Sequence, residues 1–471
     1  AFKLEPAKCY AIAGFILLYV ISVPLMTEKS CLAYYEPKTG AEYGAFYIST
    51  AFSRWISLPK ICPDGQICHI YSTLAEDAST SVILNVHTGI DVDSLQASYD
   101  TRENFEKNNN GVLAMKKTGL DLLIDLDSTG SRYLHSILLD NLEPATDYYV
   151  KFMYKGKELG EANFTTFPSE KMEKNIVMVV GGDSSGNEIA TAFIKDLRNY
   201  NPDVILVGGD IVYDNGDQDC YYCWDYYLNQ FDALNKHRGK LIPLVLAFGN
   251  HDVGLDDGQL LGVDPYQNNL MLFFPQHSNF DTKNPGVPKP EDRMSYFYKK
   301  IGNMLHVSLD TGYLSEYNGK QLTWLQNTAR KFPTLAKFAN YHVPIIPACF
   351  YNPHEYGYDA RVRTWVPVFE QNKFLTVFEN HVHLFKRTFP LKFTAEEGPG
   401  VVYIGDGAWG INPEDCYNED PNRNVTKAFA AMGNMNHIWI LNISKETVEY
   451  NALGRDGKIF DRYSQNFATY L

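Results

Sequence analysis

Apolar positions along the chain fall into three regimes. Between Thr80 and Thr166 they form short runs separated by turn residues: Thr80 to His87 (TSVILNVH), Asp121 to Asp127, Leu134 to Leu139, Tyr148 to Tyr154 and Ala162 to Thr166. This spacing predicts an all-β sandwich over residues 75–170. After Pro168 the rhythm changes. A continuous apolar run at Ile176 to Val180 precedes a helical stretch near Glu188 to Tyr200; a strand at Val204 to Val207 precedes a helix at Trp224 to Arg238, and Leu241 to Phe248 forms a third strand. That β-α-β-α-β order predicts an α/β domain over residues 171–471. The third regime is Cys9 to Met26 (CYAIAGFILLYVISVPLM), 18 residues without a formal charge, close to the roughly 20 needed to span a bilayer. Lys3 and Lys8 precede it, and Val20-Ile21-Ser22 is only a weak cleavage site. An uncleaved transmembrane anchor over 9–26 is therefore expected ahead of a secretory signal, with an irregular juxtamembrane segment over 27–74. The positive-inside rule puts the body on the non-cytoplasmic side, at the cell surface, in a secretory lumen or in another non-cytosolic compartment; cleavage within 1–26 would make it secreted.

Composition narrows the function. The chain has 471 residues, 45% hydrophobic and 21% charged, which describes a globular protein of more than one unit. Its formal charge is -14, so nucleic acid is excluded as a non-specific partner, and an anionic substrate must be drawn in by a local positive group such as a metal. Three sequons, at Asn163, Asn424 and Asn442, fit a glycoprotein in a secretory compartment. Cys62 and Cys68 flank a PDGQI turn, Cys220 and Cys223 form a C-x-x-C, and Cys349 and Cys416 complete a set that could make three disulfides. With no second C-x-x-C, zinc or thiol redox chemistry is a weaker reading of Cys220 and Cys223 than a structural disulfide.

The chemistry concentrates at strand ends. The three predicted strands finish in Gly181-Gly182-Asp183, Gly208-Gly209-Asp210 and Gly249-Asn250-His251-Asp252. In layered α/β folds ligands bind beyond the carboxyl ends of strands. Asp183, Asp210, Tyr213, Asn250, His342, His381 and His383 offer oxygen and nitrogen donors and no thiolate, a set suited to iron, manganese or zinc. Seven donors exceed what one ion takes while leaving room for substrate. Two ions roughly 3.5–4 Å apart, bridged by a carboxylate for which Asp210 is the natural choice, would use them.

Three spaced motifs carry a resemblance: Gly209-Asp210-Ile-Val-Tyr213, Gly249 to Asp252 (GNHD), and His381 to Thr388 (HVHLFKRT). Together they resemble the calcineurin-like metallophosphoesterases, and among them the purple acid phosphatases. Leu142 to Tyr148 (LEPATDY) is in turn similar to the tyrosine corner of fibronectin type III domains, and that family places such a domain before its catalytic one. The resemblance covers roughly residues 75–460 and implies a four-layer α/β/β/α sandwich. It implies ferric iron on Asp183, Asp210, Tyr213 and His383, with a visible colour from the Tyr213 phenolate. A divalent iron, zinc or manganese ion would be held by Asp210, Asn250, His342 and His381. His251 would face the substrate phosphate. Two departures stand out. The turn Asp183-Ser-Ser-Gly186 is one residue longer than the usual GDxG, and Asn380 replaces the glycine of GHxH. The family's further substrate histidine has no direct counterpart after His342, and His354 is the expectation for that role.

On this basis the expected activity is a metal-dependent, acid-phosphatase-like hydrolysis of phosphate monoesters. Hydroxide generated at the two cations would attack phosphorus in line, His251 would protonate the leaving alkoxide, and Asp252 would hold that ring. The substrate would be a phosphorylated small molecule or protein. Two alternatives stay open: a membrane-tethered accessory subunit that keeps the fold within an oligomer or membrane assembly, and a phosphodiesterase or nucleotide pyrophosphatase. Bland readings apply elsewhere. His306 and His437 are read as core or surface residues, Arg387 as a loop anchor, Asp406 as a strand-turn cap, and Cys220 to Tyr227 (CYYCWDYY) as an aromatic core.

Overall fold

The computed structural model describes residues 60–108, 113–126, 130–256, 259–260, 268–276, 286–348, 358–394, 398–405, 407–413, 428–466 and 470. The expected anchor over 9–26, Cys349, Cys416, His354, Asn424 and Asp406 lie outside these. Among the described residues no helix is long and apolar enough to cross a membrane.

The β unit is a two-sheet sandwich. The strands Met115–Thr118, Gln96–Thr101, Asp147–Tyr154 and Lys157–Thr165 form one sheet. Ile67–Thr73, Val82–Thr88, Arg132–Leu139 and Leu120–Ile124 face it. Alternate residues Val82, Leu84 and Val86 turn inward against Ala97, Tyr99, Val150 and Phe152, as a strand period of two requires. The Tyr148 hydroxyl accepts the Glu143 N–H at 2.9 Å, so the tyrosine corner forms as its sequence suggests. One boundary is corrected: Ile67–Thr73 is a strand within the segment expected to be irregular, and it starts the unit. This strand pairs in parallel with the α/β unit through Thr73 and Leu244, so one ten-stranded sheet runs through both units.

In the α/β unit, the parallel strands Ile176–Gly181, Val204–Val207 and Leu244–Leu246 lie side by side in that sheet. A seven-stranded sheet containing Ala336–Asn340 and Phe374–Glu379 packs against it. Met178, Val180 and Leu206 from the first sheet meet Phe338, Phe378 and Ile404 from the second in one buried core. Helices Glu188–Asp196 and Tyr221–Arg238 cover the outer face of the first sheet, burying Phe193, Trp224, Tyr227 and Phe231. Helices Gly319–Lys331 and Tyr358–Gln371 cover the second, burying Leu325, Trp365 and Phe369. The result is the expected α/β/β/α layering, with every ligand-bearing strand end on one edge.

Cysteines and loop anchors follow the sequence only in part. Cys62 and Cys68 are disulfide-bonded. Cys220 is also in a disulfide, but Cys223 is a buried thiol, so the C-x-x-C does not close on itself. The CYYCWDYY stretch is core, and Arg387 anchors its strand through two bonds to Asp461, at 2.7 and 2.9 Å.

Candidate metal centre

Each predicted donor leaves its strand through a sharp turn. Asp183, Asp210, Tyr213, His381 and His383 all adopt left-handed backbone, with φ of 54°, 52°, 57°, 78° and 56°. Twelve non-glycine residues among those described do so, and five of them are predicted ligands. Such conformations are disfavoured for residues carrying a β-carbon and persist where the surroundings over-determine them, typically at functional sites. Backbone bonds hold the turns together: Asp183 N–H donates to Gly209 O at 3.0 Å, and Ser184 N–H to Asp210 O at 3.0 Å. Within the longer first turn Ser185 takes φ 55°, so the extra residue leaves Asp183 at the site.

The donors gather into two adjoining groups. In one, Asp183 Oδ1 lies 3.2 Å from the Tyr213 hydroxyl and 3.0 Å from His383 Nε2. In the other, His342 Nε2 lies 3.1 Å from both Asp210 Oδ2 and Asn250 Oδ1. His381 Nδ1 is 3.1 Å from Asn250 Oδ1 and 3.1 Å from His342 Nε2. Donor atoms of Asp210, His342 and His381 all fall within 4.8 Å of one another. His342 Nδ1–H donates to Gly208 O at 2.9 Å, which turns Nε2 toward the carboxylate. The second Asp183 oxygen accepts the His381 N–H at 2.9 Å and so ties the groups together. This chemistry fits a pair of hard or borderline cations, with Asp210 beside the second group.

Electrostatics say the same. Burial works against the Asp210 carboxylate, but His342, His251 and His381 outweigh it and hold it well below the usual range. Burial would strip His342 of its proton, yet Asp210 and Asp183 retain it and raise the ring to about 9. Burial, reinforced by the charge on His342, pushes His381 well down. A buried carboxylate and a proton thus stand where a cation would bind.

The expected partner of His251 is corrected. Asp252 does not touch that ring: its carboxylate accepts N–H bonds from Asp210 at 2.7 Å, Ile211 at 2.9 Å and Gly249 at 2.8 Å. It shapes the turn that presents Asp210. His251 Nδ1 is instead 2.5 Å from Asn215 Oδ1, and its ring lies tilted at 49° to that of Tyr213, with centroids 4.8 Å apart. Nothing in the sequence marks Asn215, which reaches the site through its own left-handed turn at φ 52°.

Asn380, the departure from GHxH, is built into this chain. Its side chain is 2% exposed, donates to Tyr341 O at 2.8 Å, and lies across the faces of two glycines. A β-carbon at Gly182 would fall 2.1 Å from Asn380 Oδ1, and one at Gly208 1.9 Å from Nδ2. The paired glycines before Asp183 and Asp210 therefore make room for the asparagine. Beneath it, Glu379 accepts Tyr341 Oη at 2.7 Å, Ile345 N–H at 2.6 Å and Lys386 Nζ at 2.7 Å, fastening the His342 loop to the strand pair that carries His381 and His383.

Comparisons with known proteins agree with this geometry. Residues 180–385 match the calcineurin-like phosphoesterase family. The chain is 24% identical over 310 residues to purple acid phosphatase 15 of Arabidopsis thaliana, covering 59% of this chain and 54% of that protein. It is 23% identical over 322 residues to purple acid phosphatase 23 of the same plant, covering 62% and 66%. It thus spans about half to two thirds of the length of these relatives. In fold it resembles a purple acid phosphatase from yellow lupin (Lupinus luteus) seeds, with a TM-score of 0.65 at 14% identity over 85% of this chain and 74% of the lupin chain. Residues 180–385 thus match the calcineurin-like phosphoesterase family, and about three fifths of the chain is similar in sequence to purple acid phosphatases.

Proposed function

We propose that this chain hydrolyses phosphate monoesters at a two-cation centre held by Asp183, Asp210, Tyr213, Asn250, His342, His381 and His383. The observation that carries this reading is the convergence of the two donor groups, joined through Asp183 and His381. When bound, such a pair of cations supplies positive charge for the phosphoryl oxygens and lowers the pKa of water. Ferric iron paired with divalent iron, zinc or manganese fits the Tyr213 phenol on one side and the histidines on the other.

The chain's own residues do the rest. Asn215 accepts from His251 Nδ1–H and so sets Nε2 as the atom that meets the ester. When protonated, that atom donates to the departing alkoxide. Asp252 and Glu379 hold the turns that present Asp210 and His342. The -14 charge of the body repels phosphate at long range, so the centre must supply its own attraction. The Cys62–Cys68 disulfide and the bonded Cys220 support an oxidising, extracytoplasmic compartment.

Purified protein loaded with iron plus zinc or manganese is expected to release phosphate from an aryl phosphate. Asp210→Asn should abolish both cation binding and turnover. Absence of cation-dependent release from acid to mildly alkaline pH would overturn the reading and favour an accessory role. Faster cleavage of an aryl phosphodiester would instead assign diesterase activity.

A further inference from the structure

A second set of polar groups stands beside His342, on a loop that sequence reasoning left aside. Asp310 folds the chain into a tight cap, its two oxygens accepting the N–H groups of Gly312, Tyr313, Leu314 and Ser315 at 2.7–2.9 Å. Gln321 clamps the same cap, accepting Asp310 N–H at 2.8 Å and donating to Asp310 O at 3.0 Å. A loop tied by this many bonds presents its side chains in fixed positions. The cap holds the half-buried Tyr313 ring 6.2 Å from the ring of His342. Its hydroxyl is shielded from solvent and, among the described residues, has only the neighbouring Thr311 hydroxyl beside it. A tyrosine hydroxyl there can donate to an anion.

Behind these hydroxyls lies Arg361, on helix Tyr358–Gln371 and fully buried. Its guanidinium reaches only two backbone carbonyls, Thr311 O at 3.4 Å and Pro344 O at 3.5 Å, and its Nε has no partner. Among the described residues no carboxylate pairs with it. Glu379, whose charge it feels, is already engaged by Lys386 and Tyr341. Buried polar donors are ordinarily satisfied, and a buried cation is ordinarily paired. Two hydroxyls with no partner beyond each other, backed by an unmatched positive charge and beside His342, make a site for an anion.

We propose that Tyr313 and Thr311, backed by the charge of Arg361, form a subsite for a non-bridging oxygen of a phosphate dianion on the His342 side of the centre. It rests on the phosphatase reading and deepens it. A monoester carries the second negative charge this subsite matches, and a diester does not, so the three residues favour monoesters. Arg361 acts through its field and by holding Thr311, without touching the ligand.

The test uses the cation-loaded full chain and inorganic phosphate, with binding measured by isothermal titration calorimetry, which needs no turnover. Tyr313→Phe removes one oxygen and keeps the ring; Thr311→Val keeps the shape. Each is expected to weaken phosphate binding about tenfold, the loss of one hydrogen bond to a charged group, with cation content unchanged. The ratio of aryl monoester to diester kcat/KM should fall by a similar factor. Phosphate affinity within twofold of wild type in both variants overturns the subsite, as does a wild-type chain that loads cations yet does not bind phosphate. Weakened phosphate binding in a chain that never turns over an ester supports the subsite while overturning the phosphatase reading. Normal turnover with unaltered phosphate binding in both variants does the reverse.

Discussion

Replacing Gly208 with alanine tests how the ligand-bearing strand ends are held together. The new β-carbon would lie 1.9 Å from Asn380 Nδ2, 2.4 Å from its Cγ and 2.6 Å from its Oδ1, all well inside van der Waals contact. Asn380 is 2% exposed and has no route into water. Either its side chain gives up the 2.8 Å bond to Tyr341 O, stranding a buried carbonyl, or the strand ends move apart. Either route costs about 1–3 kcal/mol, so Gly208→Ala should destabilise by roughly 1–3 kcal/mol. Asn380→Gly removes the same bond and leaves a void, for roughly 2–3 kcal/mol. The two changes act on one object and should not add. With Asn380 truncated, the three atoms nearest the new methyl are gone, and Gly208→Ala should then cost close to nothing, a coupling of about 1–3 kcal/mol. Urea denaturation of the four proteins measures the cycle, and chelator competition for zinc shows whether the double variant recovers cation affinity lost in Gly208→Ala. Additivity to within about 0.5 kcal/mol would refute the close-packed role assigned to Asn380.

Three further outcomes are expected. A cation entering the second donor group must displace the proton that His342 holds up to about pH 9, so apparent affinity should rise about tenfold per pH unit toward that value and then level off; chelator competition at several pH values checks this, and a flat profile contradicts it. Lys299 is fully buried, bonded only to the carbonyls of Leu74 and Gln276, and burial depresses it to about 7. Above that pH the folded state has released a proton that the unfolded chain keeps until near 10.5, so Lys299 makes stability rise with pH by up to about 1.4 kcal/mol per unit; Lys299→Met should abolish this slope in urea midpoints measured from pH 7 to 10. Asn215→Ala should lower kcat on an aryl phosphate about 10–100-fold with cation content unchanged, because His251 loses its orienting partner, whereas Asn215→Asp should retain most of the rate.

The site was legible where chemistry sits at the end of an apolar run. Ile176–Gly181 and Val204–Val207 are buried parallel strands, and they read as continuous hydrophobic segments stopping at Gly-Gly-Asp. What the sequence hid depends on distant partners. Ile67–Thr73 carries His69, Ser72 and Thr73 and has no clean alternation, yet all three are buried; His69 meets Asp225, 156 residues away, and Thr73 meets Asn85. Phe297–Ile301 contains two lysines, one of them fully buried against carbonyls from other segments, so its pattern points away from a core strand. Asn215 and Asn380 act through backbone turns and close glycine contacts that no local pattern reveals. The error over Asp252 has the same origin: adjacency to His251 suggested a partner, but the turn directs that carboxylate to backbone amides.

The backbone bears on the choice between an open catalytic centre and a retained scaffold. Left-handed geometry at a residue with a β-carbon costs about 1–3 kcal/mol, somewhat less for Asp and His than for Tyr. With five donors so placed, the sum is of the order of 5 kcal/mol, similar to the whole net stability of a domain. A surface used only for assembly gains nothing from bending Asp183, Asp210, Tyr213, His381 and His383 inward onto one another. Nor does it gain from burying a carboxylate against a protonated His342, an arrangement that leaves donors crowded and charges in need of a partner. Coordination of cations resolves both at once, because the ligands' lone pairs then share a positive centre and the His342 proton leaves. The strained turns, the buried charge and the Asn380 packing are three separate features of one region, and all three are accounted for if its donor atoms hold cations.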